Sequence, residues 1–308
     1  MSTTDRYVET NGIRLHYLDH SGTGPTLILA PGLTANAHSF DGLMRAGLGD
    51  VAHVLALDLR GRGESDAPPT GYAMEDHARD VIGLLDALDL DRVVMGGHSF
   101  GGLLTYWLAA NHRERVERCV VLDAPAGVSP TVMEQIEPSL ARLGQVHASW
   151  DDYLALVRAM PYFEEAGWDD DVESYFRADA RSLPDGTVQA RSRPEHIREA
   201  VALSAAVDWA DVARRVGQPT LLLRAPDSFG PPGFPPLLSR ADAEATVALM
   251  ADSRLVDGTG NHITFVFGPG ASVLTGAIAA FLAGEPPSAA KVAGTAGQQA
   301  SYDGGGDE

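Results

Sequence analysis

Gly97-His98-Ser99-Phe100-Gly101 sets a serine between two glycines, where the apolar run Arg92-Val93-Val94-Met95 gives way to a helix-like stretch from Leu103 to Ala110. A G-x-S-x-G at a strand-to-helix junction is the pattern of a nucleophile elbow, a turn too tight for bulky neighbours. Ser99 would then project its hydroxyl above the sheet edge, with the positive end of the next helix beneath it. The plain alternative is a glycine-rich turn that happens to hold a serine; the strand before and the helix after favour the catalytic reading. A serine hydroxyl is a weak nucleophile at neutral pH and needs a base to take its proton. Of the ten histidines, His262 is the preferred base: it follows the strand-like Arg254-Leu255-Val256-Asp257 and a glycine-containing turn, and precedes the last helix. His98 adjoins the serine and is expected to pack beneath it. His77, His112, His147 and His196 read as surface or lid residues, and His16, His20 and His53 belong to strands or their ends.

The elements that must position these residues alternate. Arg14 to Asp19 reads as an early strand paired with the stretch around Tyr7-Val8-Glu9. Continuous apolar runs follow at Thr26–Ala30, His53–Asp58, Val93–Gly96, Val116–Leu122 and Thr220–Leu223, as expected of parallel strands covered on both faces. From Glu75 to Leu90 the apolar residues Val81, Leu84, Leu85 and Leu88 keep a helical period behind an acidic start. Strands alternating with helices predict an α/β sheet with helices on either side. The rhythm breaks after Ala124-Pro125. Residues 127–216 read as helical, amphipathic and rich in aromatics, an inserted cap or lid, between core segments 1–126 and 217–284. Residues 285–308 are rich in Ala, Gly, Ser and Pro and are expected to be disordered.

The 308 residues suffice for a large core, with 44% hydrophobic and 21% charged residues. A net charge of −19 and a pI near 4.8 argue against nucleic-acid or anionic-membrane partners, which would be repelled. Lys291 is the only lysine, so none is available in the core for Schiff-base chemistry. The single cysteine, Cys119, cannot form an internal disulfide and reads as a buried strand residue. A polar start without an apolar h-region, and no stretch long enough to span a bilayer, make a cytoplasmic protein the expectation.

Four stretches together resemble the α/β-hydrolase superfamily over roughly residues 6–284: Leu29-Ala30-Pro31-Gly32-Leu33-Thr34, Asp58 to Asp66 (DLRGRGESD), Gly97 to Gly102, and Gly260-Asn261-His262. The resemblance implies a mostly parallel sheet flanked by helices, with a helical cap inserted after strand 6. It also implies the chain order serine, acid, histidine. The acid holds the imidazole in the right tautomer and stabilises its charged form. In the commoner arrangement it lies just after the strand Thr220–Leu223, where Ser228 fills the slot and Asp227 stands one residue early. Some relatives carry it at the end of the preceding strand, where this chain has Asp123. Asp123 is preferred here and Asp227 is the alternative. By the same resemblance the backbone N–H groups of Leu33 and Phe100 form the oxyanion hole, although many relatives have His-Gly where this chain has Pro31-Gly32. Arg60 and Arg62 are assigned no catalytic role. His38, Trp150, Tyr162 and Phe163 are the candidate substrate-binding side chains, with the plain alternative that the aromatics only hold the cap together.

Neither a G-x-G-x-x-G fingerprint nor H-E-x-x-H or C-x-x-C is present, so no dinucleotide, metal or other cofactor is expected. The expectation is a serine hydrolase cleaving a carboxylic ester or lactone of a moderately apolar small molecule through an acyl-enzyme. A hydrolase of C–C bonds in vinylogous diketones is the nearest enzymatic alternative; peptidase, thioesterase and amidase activities stay open. A slow-turnover ligand-binding receptor of the same fold is the non-enzymatic one. Dehalogenation and epoxide hydrolysis are disfavoured, because those relatives have aspartate at the position of Ser99. The sequence leaves open whether the chain forms a homodimer.

Overall fold

The structure, a computed structural model, describes residues 2–127, 131–163 and 168–285. The chain runs β1 (Thr3–Thr10), β2 (Ile13–His20), β3 (Thr26–Ala30), α1 (Asp41–Arg45), β4 (His53–Leu57), α2 (Met74–Ala87), β5 (Val93–His98), α3 (Phe100–Asn111) and β6 (Val116–Leu122). An intervening segment holds α4 (Val132–Ala141), β7 (Val146–His147), α5 (Trp150–Arg158), α6 (Asp170–Asp179), β8 (Ala180–Ser182), β9 (Val188–Ala190), α7 (Pro194–Ala205) and α8 (Trp209–Arg214). The chain then returns through β10 (Thr220–Arg224), α9 (Arg240–Ala248), β11 (Ser253–Asp257) and α10 (Gly268–Leu282).

The main sheet has eight strands in the order β1-β2-β4-β3-β5-β6-β10-β11. The β1–β2 and β2–β4 pairs are antiparallel and the rest parallel. Successive strand residues point to opposite faces, which splits the core in two. Leu27, Leu29, Val120 and Leu221 pack with Leu274, Ile278 and Phe281 of α10. Ile28, Met95, Val121 and Leu222 pack with Val81 and Leu84 of α2 and Leu104 and Leu108 of α3. Each such buried side chain contributes roughly 1.5–3 kcal/mol of transfer free energy. The sheet is therefore the stiff frame on which its loops are mounted.

Register decides what those loops can do. His98 lies opposite Leu122, Leu122 opposite Leu223, and Leu223 opposite Val256. Strands β5, β6 and β10 thus end nearly flush, and the residues that follow them emerge side by side.

Two sequence expectations change. The segment between β6 and β10 is not purely helical: β7, β9 and β8 form a small antiparallel sheet. Strands of two or three residues are too short to show an alternating pattern. His77 is not a surface or lid residue but fully buried, lying three residues after Met74 and four before Val81 on the buried face of α2. His196 is buried too, on α7. Cys119 is buried in β6, and burial pushes its thiol up to about 12. The expected disordered tail falls, from residue 286 onward, outside the described residues. Among the described residues no helix is long and apolar enough to cross a membrane.

Candidate active site

Ser99 follows β5 directly, with φ 54° and ψ −115°. An L-residue at positive φ is strained and persists only where its surroundings hold it. Here the Ser99 N–H donates to the Leu122 carbonyl at 2.9 Å, while its own carbonyl accepts from the Gly102 and Leu103 N–H groups at 2.8 and 3.1 Å. The flanking glycines are steric necessities. A Cβ on Gly97 would stand 2.2 Å from the Gly101 oxygen, and one on Gly101 would stand 2.0 Å from the Ala30 oxygen.

One strand over, Asp123 leaves β6 with φ 51°, its N–H donating to the Leu223 carbonyl at 2.7 Å. Its carboxylate is fully buried. Oδ1 accepts from the Ala225 N–H at 2.9 Å, and Oδ2 accepts from His262 Nδ1 at 2.7 Å across 139 residues of sequence. That bond places the proton on Nδ1 and leaves Nε2 as a lone pair.

His262 sits in the loop between β11 and a 3₁₀ turn over Thr264–Val266. Asn261 shapes the loop: its Oδ1 accepts from the Ile263 and Thr264 N–H groups, both at 3.0 Å, and its Nδ2 donates to the Tyr162 carbonyl at 2.8 Å. His98 Nε2 donates to the His262 carbonyl at 2.9 Å, and the residue lines the same cavity as Ser99. Burial, and then the neighbouring His262, hold His98 well below the usual histidine range. The Phe229 ring stands 4.9 Å from the His262 ring and stacks on Tyr162 at 4.6 Å.

Ser99 and His262 open onto a cavity of about 360 Å³. Leu33, Phe100, Tyr162, Met160 and Phe229 are among the side chains on its walls, which are mostly apolar. Phe100 is the first residue of α3, so its N–H has no acceptor within the helix. The Gly32 carbonyl accepts from the Ala35 N–H at 3.1 Å, which turns the opposite edge of that peptide plane, the Leu33 N–H, away from the Ala35 bond. Arg142 also reaches the lining, but its guanidinium is bound to both Asp179 oxygens, and the Tyr153 hydroxyl donates to the same carboxylate.

Several candidate residues lie elsewhere. Asp227 is exposed, and its N–H donates to the Gly260 carbonyl at 3.2 Å in a separate, more polar hollow. His38, Trp150 and Phe163 are not among the cavity's lining residues. His38 Nδ1 donates to Asp41 Oδ2 at 2.8 Å, because the Asn36-capped 3₁₀ turn over Ala37–Phe40 brings the two together. Trp150 opens α5 and donates to Ser182 Oγ at 3.0 Å. Phe163 packs edge-on against Trp168 and Phe176 at 5.4 and 5.8 Å, a structural aromatic cluster. The sequence reading missed Phe229, Met160 and Arg142 as neighbours of the site; no local pattern marks them. Among the described residues no three His, Cys, Asp or Glu side chains converge as metal ligands.

Comparison with known proteins agrees with this architecture. A family model described as alpha/beta hydrolase fold matches residues 25–157. N-formylmaleamate deformylase of Pseudomonas putida is 38% identical over 119 residues, 38% of this chain and 44% of that protein. The chain spans less than half the length of the first curated relatives it matches. Among solved structures, E-2-(acetamidomethylene)succinate hydrolase superposes with a TM-score of 0.79 at 23% identity, covering 92% of this chain and 100% of the other. The enol-lactonase of Burkholderia xenovorans gives 0.66 at 22% identity, covering 90% and 100%. At these identities the structural likeness speaks for the fold alone. The chain has the alpha/beta hydrolase fold, and its residues 25–157 match that family's model.

Proposed function

We propose that this protein is a serine hydrolase that cleaves a carboxylic ester or lactone of a moderately apolar small molecule through an acyl-enzyme. The observation that carries the reading is the buried Asp123–His262 bond beside a serine held at positive φ on the wall of one cavity. In this mechanism His262 Nε2 takes the Ser99 proton as Oγ attacks the carbonyl carbon. The carbonyl oxygen gains the electron pair and is received by the Leu33 and Phe100 N–H groups, each worth about 3 kcal/mol in the transition state. Collapse expels the alcohol, which leaves with the proton from His262. Water then attacks the acyl carbon with His262 as base and releases the acid. Asp123 keeps Nδ1 protonated throughout.

The lining supports a neutral, apolar substrate. Among the described residues Arg142 is the one arginine of the lining and is already neutralised by Asp179, so no free cation there awaits a substrate carboxylate. The test is steady-state hydrolysis of a short-to-medium p-nitrophenyl ester series by wild type and Ser99→Ala. Multiple turnover, with kcat lowered on the order of 10⁵–10⁶ by the substitution, is expected. A stoichiometric burst that stalls, or release independent of Ser99, would overturn the reading in favour of a receptor or a C–C bond hydrolase.

A further inference from the structure

Arg60 and Arg62 are both buried in the loop after β4, yet their surroundings differ. Arg60 is answered by a carboxylate: its Nε and Nη2 donate to the two oxygens of Asp80 at 2.7 and 2.6 Å. Arg62 is 1% exposed and, among the described residues, has no carboxylate partner. Its Nε donates to the Leu33 carbonyl at 2.9 Å and its Nη1 to the Arg60 carbonyl at 2.7 Å, while Nη2 has no partner there. The guanidinium carbon lies 5.5 Å from the Phe100 ring centre and 5.8 Å from that of Tyr72. His77, fully buried and edge-on to Phe100 at 5.2 Å, has no partner for either ring nitrogen among the described residues.

Leaving a buried cation without a counter-charge is costly, and an apolar side chain of similar volume would ordinarily do better there. The neighbours do not cancel the charge. Burial pushes the Tyr72 phenol up to about 12 and holds His77 well below the histidine range, so both are neutral near pH 7. Burial also lowers Arg62, to about 10, which still leaves it cationic there. What the residue gains is position: it grips the carbonyl of Leu33 and lies over the ring of Phe100.

We propose that Arg62 is the positioning residue of the oxyanion site, holding the Leu33 loop and the Phe100 turn in register and setting an uncompensated positive charge behind them. This rests on the reading of Leu33 and Phe100 as oxyanion donors. Gripping the Leu33 carbonyl fixes that residue on one side, and the Ala35–Gly32 bond fixes the preceding peptide on the other. The Leu33 N–H is then held ready before charge develops, and the buried guanidinium favours that negative charge in a site where water cannot screen it.

Arg62→Met and Arg62→Lys, compared with wild type and Ser99→Ala on the best p-nitrophenyl ester, test the proposal. Arg62→Met is expected to fold with a Tm no lower than wild type, to lose about 100-fold in kcat with KM changed less than about twofold, and to bind a boronic-acid analogue correspondingly less tightly. Binding of a neutral amide analogue of the substrate, which brings no negative charge to the site, should change by less than about threefold. Arg62→Lys keeps the charge without the fork and should recover part of kcat. Should Arg62→Met not fold, a drop of about tenfold in kcat at constant KM for Arg62→Lys carries the same meaning. Wild-type kcat and boronate affinity in a folded Arg62→Met, or equal losses in boronate and amide-analogue binding, would overturn the proposal alone. Wild-type protein without Ser99-dependent turnover would overturn the hydrolase reading and, with it, this one.

Discussion

At the edge of the sheet the polar groups are placed by backbone. Ser99 and Asp123 each leave a strand at positive φ and are tied to the neighbouring strand by one N–H bond. In the segment between β6 and β10 the polar groups are placed by side chains instead: Arg142, Asp179 and Tyr153 close a buried network with Thr34 of the β3 loop at its rim. The sheet supplies rigidity to the first set before any side chain interacts. The second set must supply its own. Substitutions at the edge should therefore cost chemistry with little stability, and substitutions in the intervening segment should cost stability with less chemistry.

The largest effect that would sharpen this contrast is at the acid. Asp123→Asn should lower kcat on the order of 10⁴ while the fold persists, and Asp227→Asn should stay within about twofold of wild type. Steady-state ester hydrolysis beside thermal melts reads both; the reverse ranking would break the assignment of Asp123 to His262. Next comes the network. Asp179→Asn leaves Arg142 buried without its carboxylate and should destabilise by about 3–5 kcal/mol in denaturant unfolding, with kcat well below the melt much less affected. Unchanged stability would show that the intervening segment is not held by this pair.

The smallest effect concerns pH. His77 and His98 are held well below 6.5, mainly by burial, so their native forms stay neutral where the unfolded chain takes up protons. The stability linked to them is present above pH 6.5 and is lost as pH falls below it, by up to about 1.4 kcal/mol per pH unit for each proton. His16 and His38 work the other way. Burial lowers them, but the hydrogen bonds to Asp58 and Asp41 outweigh it and raise them, so their contribution is present below 6.5 and fades as pH rises through the raised values. Between pH 7 and 5 the two pairs oppose each other in the wild type, so His77→Phe isolates one member: the variant should take up close to one proton fewer on unfolding than wild type. An unaltered slope would mean that His77 is not the neutral group that the buried wall requires.

The serine turn was readable because its requirements are local: two glycines at contact distance, a strand before and a helix after, all within a dozen residues. The apolar runs were readable for the same reason, since a strand covered on both faces needs no partner to declare itself. His77 was legible in principle, because its three- and four-residue spacing to Met74 and Val81 puts it on the apolar stripe of α2; its polarity obscured this. His38, Trp150 and Phe163 show the opposite failure. Their types suited a binding wall, but each found a nearer partner, Asp41, Ser182 and Trp168 respectively.

By itself the sequence determined the strand-and-helix alternation, the serine turn and the histidine loop, because steric clearance and hydrophobic period act between neighbours in the chain. Only the tertiary structure brought Asp123, and not Asp227, to His262, joined Arg142 to Asp179 across 37 residues, and set Arg62 behind Leu33 and Phe100. Those pairings depend on strand register and on which loops emerge side by side. A carboxylate's reach of a few ångströms cannot be inferred from a separation of more than a hundred residues.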